Sequence, residues 1–432
     1  MALLGACSAP VAASDPRSVA REAYIFGAPL VTTVRTLQSL APLSPVNRLT
    51  WQPTLAGPQS RTTVTPNRDT IYVGAPMDLR VGPFVLTVPA ISDRYYSFQF
   101  LDAYTEDVAY VGTRVNGGAA GTYLIAPSTY TGATPDGMTR VGIPTLQFFL
   151  VGRFAVNSAA DVPTALRYQD QVRLISLAEY QGRAAPAAPE LGAPAGPPQD
   201  LAQSGLRFFD ELGAAMAVNI PYTKVSKRVA RRMAKVGIGP GMTPSAITDE
   251  HKRRELEAGL AEGEQAVARA AANAGVVTDG WQSNRQVGTY GDDYLLRAVI
   301  SRIGWGANLP AEVMYALTRA DSTQQPLIGS NRYTVTFSAN ALPPTRAFWS
   351  ISAYGPELYF VQNPFDRYSI SSLEPLAPNA DGTVTITFSS SRVSATNWVP
   401  VPDGEFVLVF RNYWPTSGAL ESGYHPPALV RV

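Results

Sequence analysis

The chain is poor in the side chains that usually advertise chemistry. One cysteine, Cys7, stands among 432 residues, so no disulfide can form within the chain. Two histidines, His251 and His425, are too few for a three-histidine metal site. Any Ser-His-Asp triad would have to recruit one of them, yet His251 sits in the charged turn Glu250-His251-Lys252-Arg253-Arg254 and His425 beside Pro426. No Gly-x-x-x-x-Gly-Lys loop and no dinucleotide fingerprint follows a strand signal, so no nucleotide cofactor is expected. A net charge of +1 lacks the basic bias of a nucleic-acid binder. No apolar run approaches the ~20 residues of a membrane span. Only four of the 35 basic residues are lysines, Lys224, Lys227, Lys235 and Lys252, which reads as genome composition.

What is present describes a folded protein. Hydrophobic residues make up 45% and charged residues 16% of the chain, the balance of a globular protein with room for two or three cores. Thirty-six prolines and 35 glycines imply many turns, as in β-rich folds. Around Cys7, Leu3-Leu4-Gly5-Ala6-Cys7-Ser8 resembles a bacterial lipoprotein processing site, with Cys7 as the lipidated residue and Ser8–Ser14 as a tether. Met1–Ala6 is shorter than the apolar stretch of ~7–15 residues in a signal peptide. Two readings stand, a lipidated exported protein and a plain N-terminal tail.

The expected organisation is mainly β with a helical middle. Residues 1–14 form the tether, and 15–182 an N-terminal helix plus a β-sandwich. A Pro/Ala-rich linker follows at 183–200, then a helical bridging region at 201–325 and a second β-sandwich or jelly roll at 326–432. Asp15-Pro16 opens the first helix, with Pro at its first position, and Pro29 is expected to kink or end it. Between Thr62 and Phe154 apolar runs such as Phe84–Val88, Tyr95–Leu101 and Leu146–Val151 are separated by turn residues. Asp161 is read as opening a helix that carries Leu166, Val172, Leu174 and Leu177. In the middle, Thr248–Ala274 is the longest helical pattern, and Tyr294–Ile303 and Ala311–Thr318 follow as helices. Strand patterns return from Tyr333. Arg94-Tyr95-Tyr96-Ser97 and Arg346-Ala347-Phe348-Trp349-Ser350 echo each other, which is read either as a diverged duplication or as the shared liking of aromatics for strands.

Several of these segments carry a resemblance. Asn67-Arg68-Asp69-Thr70-Ile71-Tyr72, Gly82-Pro83, Arg94–Tyr104 and Gly112-Thr113-Arg114 resemble the domain of unknown function numbered 1254. Phe348-Trp349-Ser350, Asn397-Trp398-Val399-Pro400-Val401-Pro402, Arg411-Asn412-Tyr413-Trp414-Pro415 and Pro426-Pro427 resemble the domain of unknown function numbered 1214. Gly280-Trp281, Tyr290-Gly291 and Asp293-Tyr294-Leu295 fit the same two-domain family. The turn Asp321–Leu327 lacks a glycine expected there. The resemblance implies two β-sandwich or jelly-roll domains bridged by helices, usually in exported bacterial proteins at the periplasm or cell surface, and no established chemistry.

With histidine, cysteine and nucleotide chemistry set aside, carboxylates remain. Asp69 sits before a strand and Asp102 at the end of the strongest one, with Glu106 and Asp107 beyond. Two carboxylates ~5–10 Å apart can act as acid and base on a glycosidic bond. Asn67, Tyr72, Tyr95, Tyr104 and Arg114 are the expected lining, able to stack sugars or hold an anion. Trp349, Trp398 and Arg411 are expected to add a second platform, with Tyr413 and Trp414. The competing expectations are structural: Asp69 in an Asx turn, an Arg114–Asp102 ion pair, and aromatics filling cores. The basic helix Lys224–Lys235 reads as a packed helix with a solvated face or as a membrane-surface helix. Two functions follow: a cell-envelope hydrolase acting on carbohydrate through Asp69 and Asp102, or a non-catalytic envelope protein that binds a glycan, lipid or protein partner in an interdomain cleft. Neither needs a metal or cofactor.

Overall fold

The computed structural model describes residues 15–432 other than 62, 63, 199 and 340. Cys7 and its lipidation reading lie outside the described residues. Helix and strand contribute nearly equally, and the chain is β-rich with a helical middle.

Strands of the first half are β1 (Thr50–Trp51), β2 (Thr70–Asp78), β3 (Phe84–Val88), β4 (Tyr96–Asp102), β5 (Asp107–Gly112), β6 (Gly121–Pro127), β7 (Thr139–Ile143), β8 (Gln147–Ala155) and β9 (Arg173–Ser176). They form two open sheets, ordered β1-β2-β8-β4-β5 and β7-β6-β3-β9. Alternate residues of each strand point to opposite faces. One face of the first sheet, with Ile71, Val73, Tyr96, Phe98, Leu150 and Phe154, packs on Phe84, Leu86, Ile125 and Ile143 of the second as a single core.

The second half contains β10 (Val276–Thr278), β11 (Trp281–Ser283), β12 (Val313–Thr318), β13 (Tyr333–Phe337), β14 (Thr345–Tyr354), β15 (Ser369–Ser371), β16 (Val384–Ser389), β17 (Trp398–Pro400), β18 (Val407–Pro415) and β19 (Val430–Arg431). Its open sheets are ordered β10-β11-β12-β18-β14-β15 and β17-β16-β13-β19. They close over Trp281, Val335, Phe337, Trp349, Ile351, Ile386 and Phe410.

The two halves share one wiring diagram. Adding ten to each strand number converts every pairing of the first half into one of the second: β1–β2, β2–β8, β8–β4, β4–β5, β3–β6 and β3–β9 become β11–β12, β12–β18, β18–β14, β14–β15, β13–β16 and β13–β19, all antiparallel. Even the parallel pair β6–β7 recurs as β16–β17. Convergent strand chemistry explains paired aromatics but not this shared order. The duplication reading is therefore the one the topology favours.

The N-terminal helix Pro16–Leu40 does not join the first sandwich. It packs on the helices Arg207–Val218, Lys224–Lys235, Glu250–Ala272 and Tyr294–Gly304 around Ala23, Phe26, Leu30, Phe209, Leu212, Leu256 and Val299. Gly259 and Gly263 let it approach: a Cβ on Gly259 would stand 2.2 Å from the Arg17 carbonyl oxygen. Pro29 does not end the helix, because the packed apolar face outweighs one missing hydrogen bond. The Pro/Ala-rich linker runs along this helix, held by Arg35 to the Pro197 and Asp200 carbonyls.

One expected helix is broken by a strand and another is a strand. A helix does follow Asp161, over Val162–Leu166, but Leu174 lies in β9 before a second short helix at Leu177–Tyr180, and Val313–Thr318 is β12, seated between β11 and β18. An apolar run of six residues carries no periodicity that separates a buried strand from a helix turn.

Candidate functional site

The second faces of the β1-β2-β8-β4-β5 and β10-β11-β12-β18-β14-β15 sheets point not into their own sandwiches but at the other half. On β2, β8 and β4 the residues Tyr72, Arg153 and Ser97 stand side by side across the strands. On β12, β18 and β14 the residues Tyr315, Arg411 and Ser350 do the same. Under the strand correspondence these are equivalent positions. Each sheet thus presents a Tyr–Arg–Ser row, and the two rows meet. Tyr95, Ala155, Val313, Phe348 and Tyr413 form the apolar contact beside them, with the Phe348 and Tyr413 rings stacked at 4.3 Å.

The crossing contacts follow the same symmetry. Asp69, three residues before Tyr72, reaches into the second half, where its carboxylate accepts from the Ser350 hydroxyl. Glu312, three residues before Tyr315, reaches into the first half. There it accepts from the Tyr95 hydroxyl at 2.6 Å and pairs with Arg114. Asn67 donates to the Tyr413 hydroxyl at 2.7 Å, and Arg411 to the Thr65 carbonyl at 2.7 Å.

Arg153 is 7% exposed and its partners are neutral: Gln99 Oε1 at 2.8 Å, Asn308 Oδ1 at 3.2 Å and the Gly306 carbonyl at 3.4 Å. Its guanidinium also lies 5.6 Å from the centre of the Tyr72 ring. Arg411, 3% exposed, is held by Ser352 Oγ at 3.2 Å besides Thr65. Asp107 accepts from Gln99 at 2.6 Å and Tyr110 at 2.7 Å. Burial pushes its carboxyl up to about 7, against the pull of those two donors and of Arg153. Burial also raises Asp69, partly offset by the Ser350 hydroxyl and by Arg411. Tyr72 and Tyr315 remain half-buried, marking where the polar seam meets solvent.

The two expected catalytic carboxylates do not meet. Thr70 stands opposite Ala155, and Asp102 opposite Phe148. These partners are seven residues apart along β8, or about 23 Å at strand rise. Asp69 and Asp102 therefore lie at opposite ends of one sheet, too far apart to share a glycosidic bond. Asp102 accepts instead from the Tyr104 and Glu106 amides at 2.8 and 2.9 Å and from Tyr222 at 2.8 Å, and burial, offset by these donors, pushes it up to about 6. It anchors the helical layer to the first sandwich. Nearby, Tyr104, Tyr222, Tyr294 and Arg297 line a cavity of about 10 Å³, the room of one water molecule.

Other expectations change in the same way. Arg114 pairs with Glu312, not Asp102. Tyr104 donates to the Asn219 carbonyl at 2.8 Å and belongs to the Asp102 end. Trp349 and Trp398, 2% and 1% exposed, fill the second half; Trp349 packs on Phe337 and Trp398 donates to Ser389. Neither is a stacking platform, because burial leaves no ring face open. Asn67, Asp69, Tyr72, Tyr95, Arg114, Arg411 and Tyr413 do converge on the seam. Arg153, Ser97, Tyr315 and Glu312 were missed. An arginine inside the apolar run Phe148–Ala155 was the available signal, since a buried guanidinium needs a reason.

Residues 46–176 match the family described as Protein of unknown function (DUF1254), and residues 312–417 match Protein of unknown function (DUF1214). The chain belongs to the family that joins these two domains. The DUF1254 match spans β1–β9 and so carries Tyr72, Ser97 and Arg153, while the DUF1214 match carries Tyr315, Ser350 and Arg411. The crystal structure of the VPA0106 protein from Vibrio parahaemolyticus is similar with a TM-score of 0.75 at 23% identity, over 96% of this chain and 100% of that one; that likeness concerns the fold alone. An uncharacterized protein from Burkholderia cenocepacia aligns with a TM-score of 0.48 at 13% identity, over 95% and 88% of the two chains. No curated protein matches. Among the described residues no helix is long and apolar enough to cross a membrane.

Proposed function

We propose that this chain is a cell-envelope protein that binds a glycan in the seam between its two sandwiches, without cleaving it. The observation that carries the reading is the convergence of Tyr72, Arg153, Tyr315, Arg411 and Tyr413 at an interface that is polar rather than oily. Obligate contacts between halves are normally depleted of charge at their centre. Arg153, a guanidinium held there by neutral partners, is a poor stabiliser and a good hydrogen-bond donor to a ligand. Half-buried tyrosines beside them supply the flat apolar and hydroxyl contacts that sugars use. The envelope location rests on the Leu3–Ser8 motif and on the family resemblance.

A hydrolase reading would need a new acid–base pair, since Asp69 and Asp102 are about 23 Å apart. The test is a titration of the protein against envelope and plant glycans, with products followed by mass spectrometry. Binding without product, weakened by Tyr315→Ala and untouched by Asp102→Asn, is expected. Turnover that Asp102→Asn abolishes would overturn the reading.

A further inference from the structure

The two Tyr–Arg–Ser rows are equivalent in position but not in how they are satisfied. In the second half the Ser350 hydroxyl donates to a carboxylate, that of Asp69, which also lies close enough to Arg411 for each to favour the other's charge. In the first half the equivalent serine, Ser97, is 1% exposed and its Oγ has no hydrogen-bond partner. The equivalent acid, Glu312, is present but diverted. Its two oxygens go to Tyr95 and Arg114, and position 348, the counterpart of Tyr95, is a phenylalanine that offers no such hydroxyl. The Tyr95 hydroxyl beside Ser97 donates its one hydrogen bond to Glu312, and burial next to that carboxylate holds the phenol protonated. Arg153, next to Ser97 in register, is likewise left with two amide oxygens and a carbonyl, none of them charged.

A guanidinium cannot shed its proton at any pH a protein survives. Buried without an anion it costs several kcal/mol, and an orphaned buried hydroxyl adds to that cost. Asp107, coupled to Arg153 through Gln99, is pushed up to about 7 and neutralises it only in part near neutral pH. The second half shows what the row accepts when filled: a carboxylate on the serine hydroxyl, beside the arginine. We infer that the first-half row is completed by a carboxylate brought in by the ligand, so that the glycan bound in the seam is an acidic one, a uronic-acid polymer or a fragment of one. Its carboxylate sits on Arg153 and Ser97, and its sugar ring lies against the half-buried Tyr72 and Tyr315. The inference rests on the seam being the glycan site.

The experiment titrates wild-type protein, Ser97→Ala and Arg153→Gln calorimetrically with trigalacturonate and with the neutral trisaccharide of galactose. Circular dichroism and thermal melts first confirm that each variant is folded; Ser97→Ala, which removes one unpaired oxygen, keeps the test valid should Arg153→Gln fail to fold. The expected result is acidic-sugar binding at least tenfold tighter than neutral. Ser97→Ala should reduce that preference severalfold and Arg153→Gln should abolish it. Equal affinities for the two sugars, or a preference that survives Ser97→Ala undiminished, would overturn the acidic-ligand inference while leaving glycan binding intact. Binding of neither sugar, nor of other uronate and neutral oligomers run in parallel, would remove both.

Discussion

Replacing Asp102 with asparagine separates its anchoring role from the catalytic one that its place at a strand end invites. Asp102 is fully buried, and its carboxyl is pushed up to about 6 from an ordinary value of 3.8. A folded-state value above the unfolded one means that the fold holds the proton more tightly. The stability contributed by protonation is thus fully present below about 3.8 and is lost as pH rises through about 6. Roughly two units at ~1.36 kcal/mol each give a loss of about 3 kcal/mol by pH 7.5. Asparagine copies the protonated form. Its Oδ1 can keep the Tyr104 and Glu106 amides, and its Nδ2 can donate to Tyr222, whose hydroxyl turns from donor to acceptor. Urea unfolding followed by tryptophan fluorescence at pH 4, 6 and 7.5 should show the two proteins alike at pH 4. The variant should be more stable by about 3 kcal/mol at pH 7.5. Parallel pH profiles, or a variant destabilised by that amount at pH 7.5, would refute the reasoning.

Glu106→Gln removes the partner of Arg297, whose Nε is already unpaired; a loss of about 3–5 kcal/mol is expected by denaturant titration. Glu312→Gln breaks the pair with Arg114 across the two halves and should cost about 3 kcal/mol, with limited proteolysis detecting looser halves before global unfolding. Gly112→Ala sets a Cβ 2.3 Å from the Tyr96 carbonyl oxygen at a φ of 144°; it should lower the melting temperature by several degrees, read by calorimetry. Trp398→Ala should destabilise by about 3–5 kcal/mol and leave glycan affinity unchanged in the residual folded protein.

The strands that build both sandwiches were readable from their aromatic and β-branched runs, because a period of two and its bounding turns are local properties. The seam was half readable. Asn67, Asp69, Tyr72, Tyr95, Arg114 and Arg411 stood out through their motifs, and they do converge. Pairing Asp69 with Asp102 failed because the distance between strand ends depends on strand order and direction. With β8 inserted between β2 and β4, β2 and β4 run the same way, so the start of one and the end of the other lie apart. Tyr315 is hidden in the sequence because Ala311–Thr318 reads as a helix, a choice only the β11 and β18 neighbours decide. The placing of Pro16–Leu40 among the central helices depends on Gly259 and Gly263, more than two hundred residues away, and left no local trace. The echo of Arg94–Ser97 in Arg346–Ser350 was visible. Its meaning, a shared row of Tyr, Arg and Ser, needed the cross-strand register.

The most direct test of a glycan site between the halves is a crystal structure of the protein soaked with the tightest-binding oligosaccharide from the titrations. Density between the Tyr72–Arg153–Ser97 and Tyr315–Arg411–Ser350 rows is the predicted result. Density at the Asp102–Tyr222 end instead, or in the open groove of about 620 Å³ beside Thr87, Thr122 and Arg173, would contradict it.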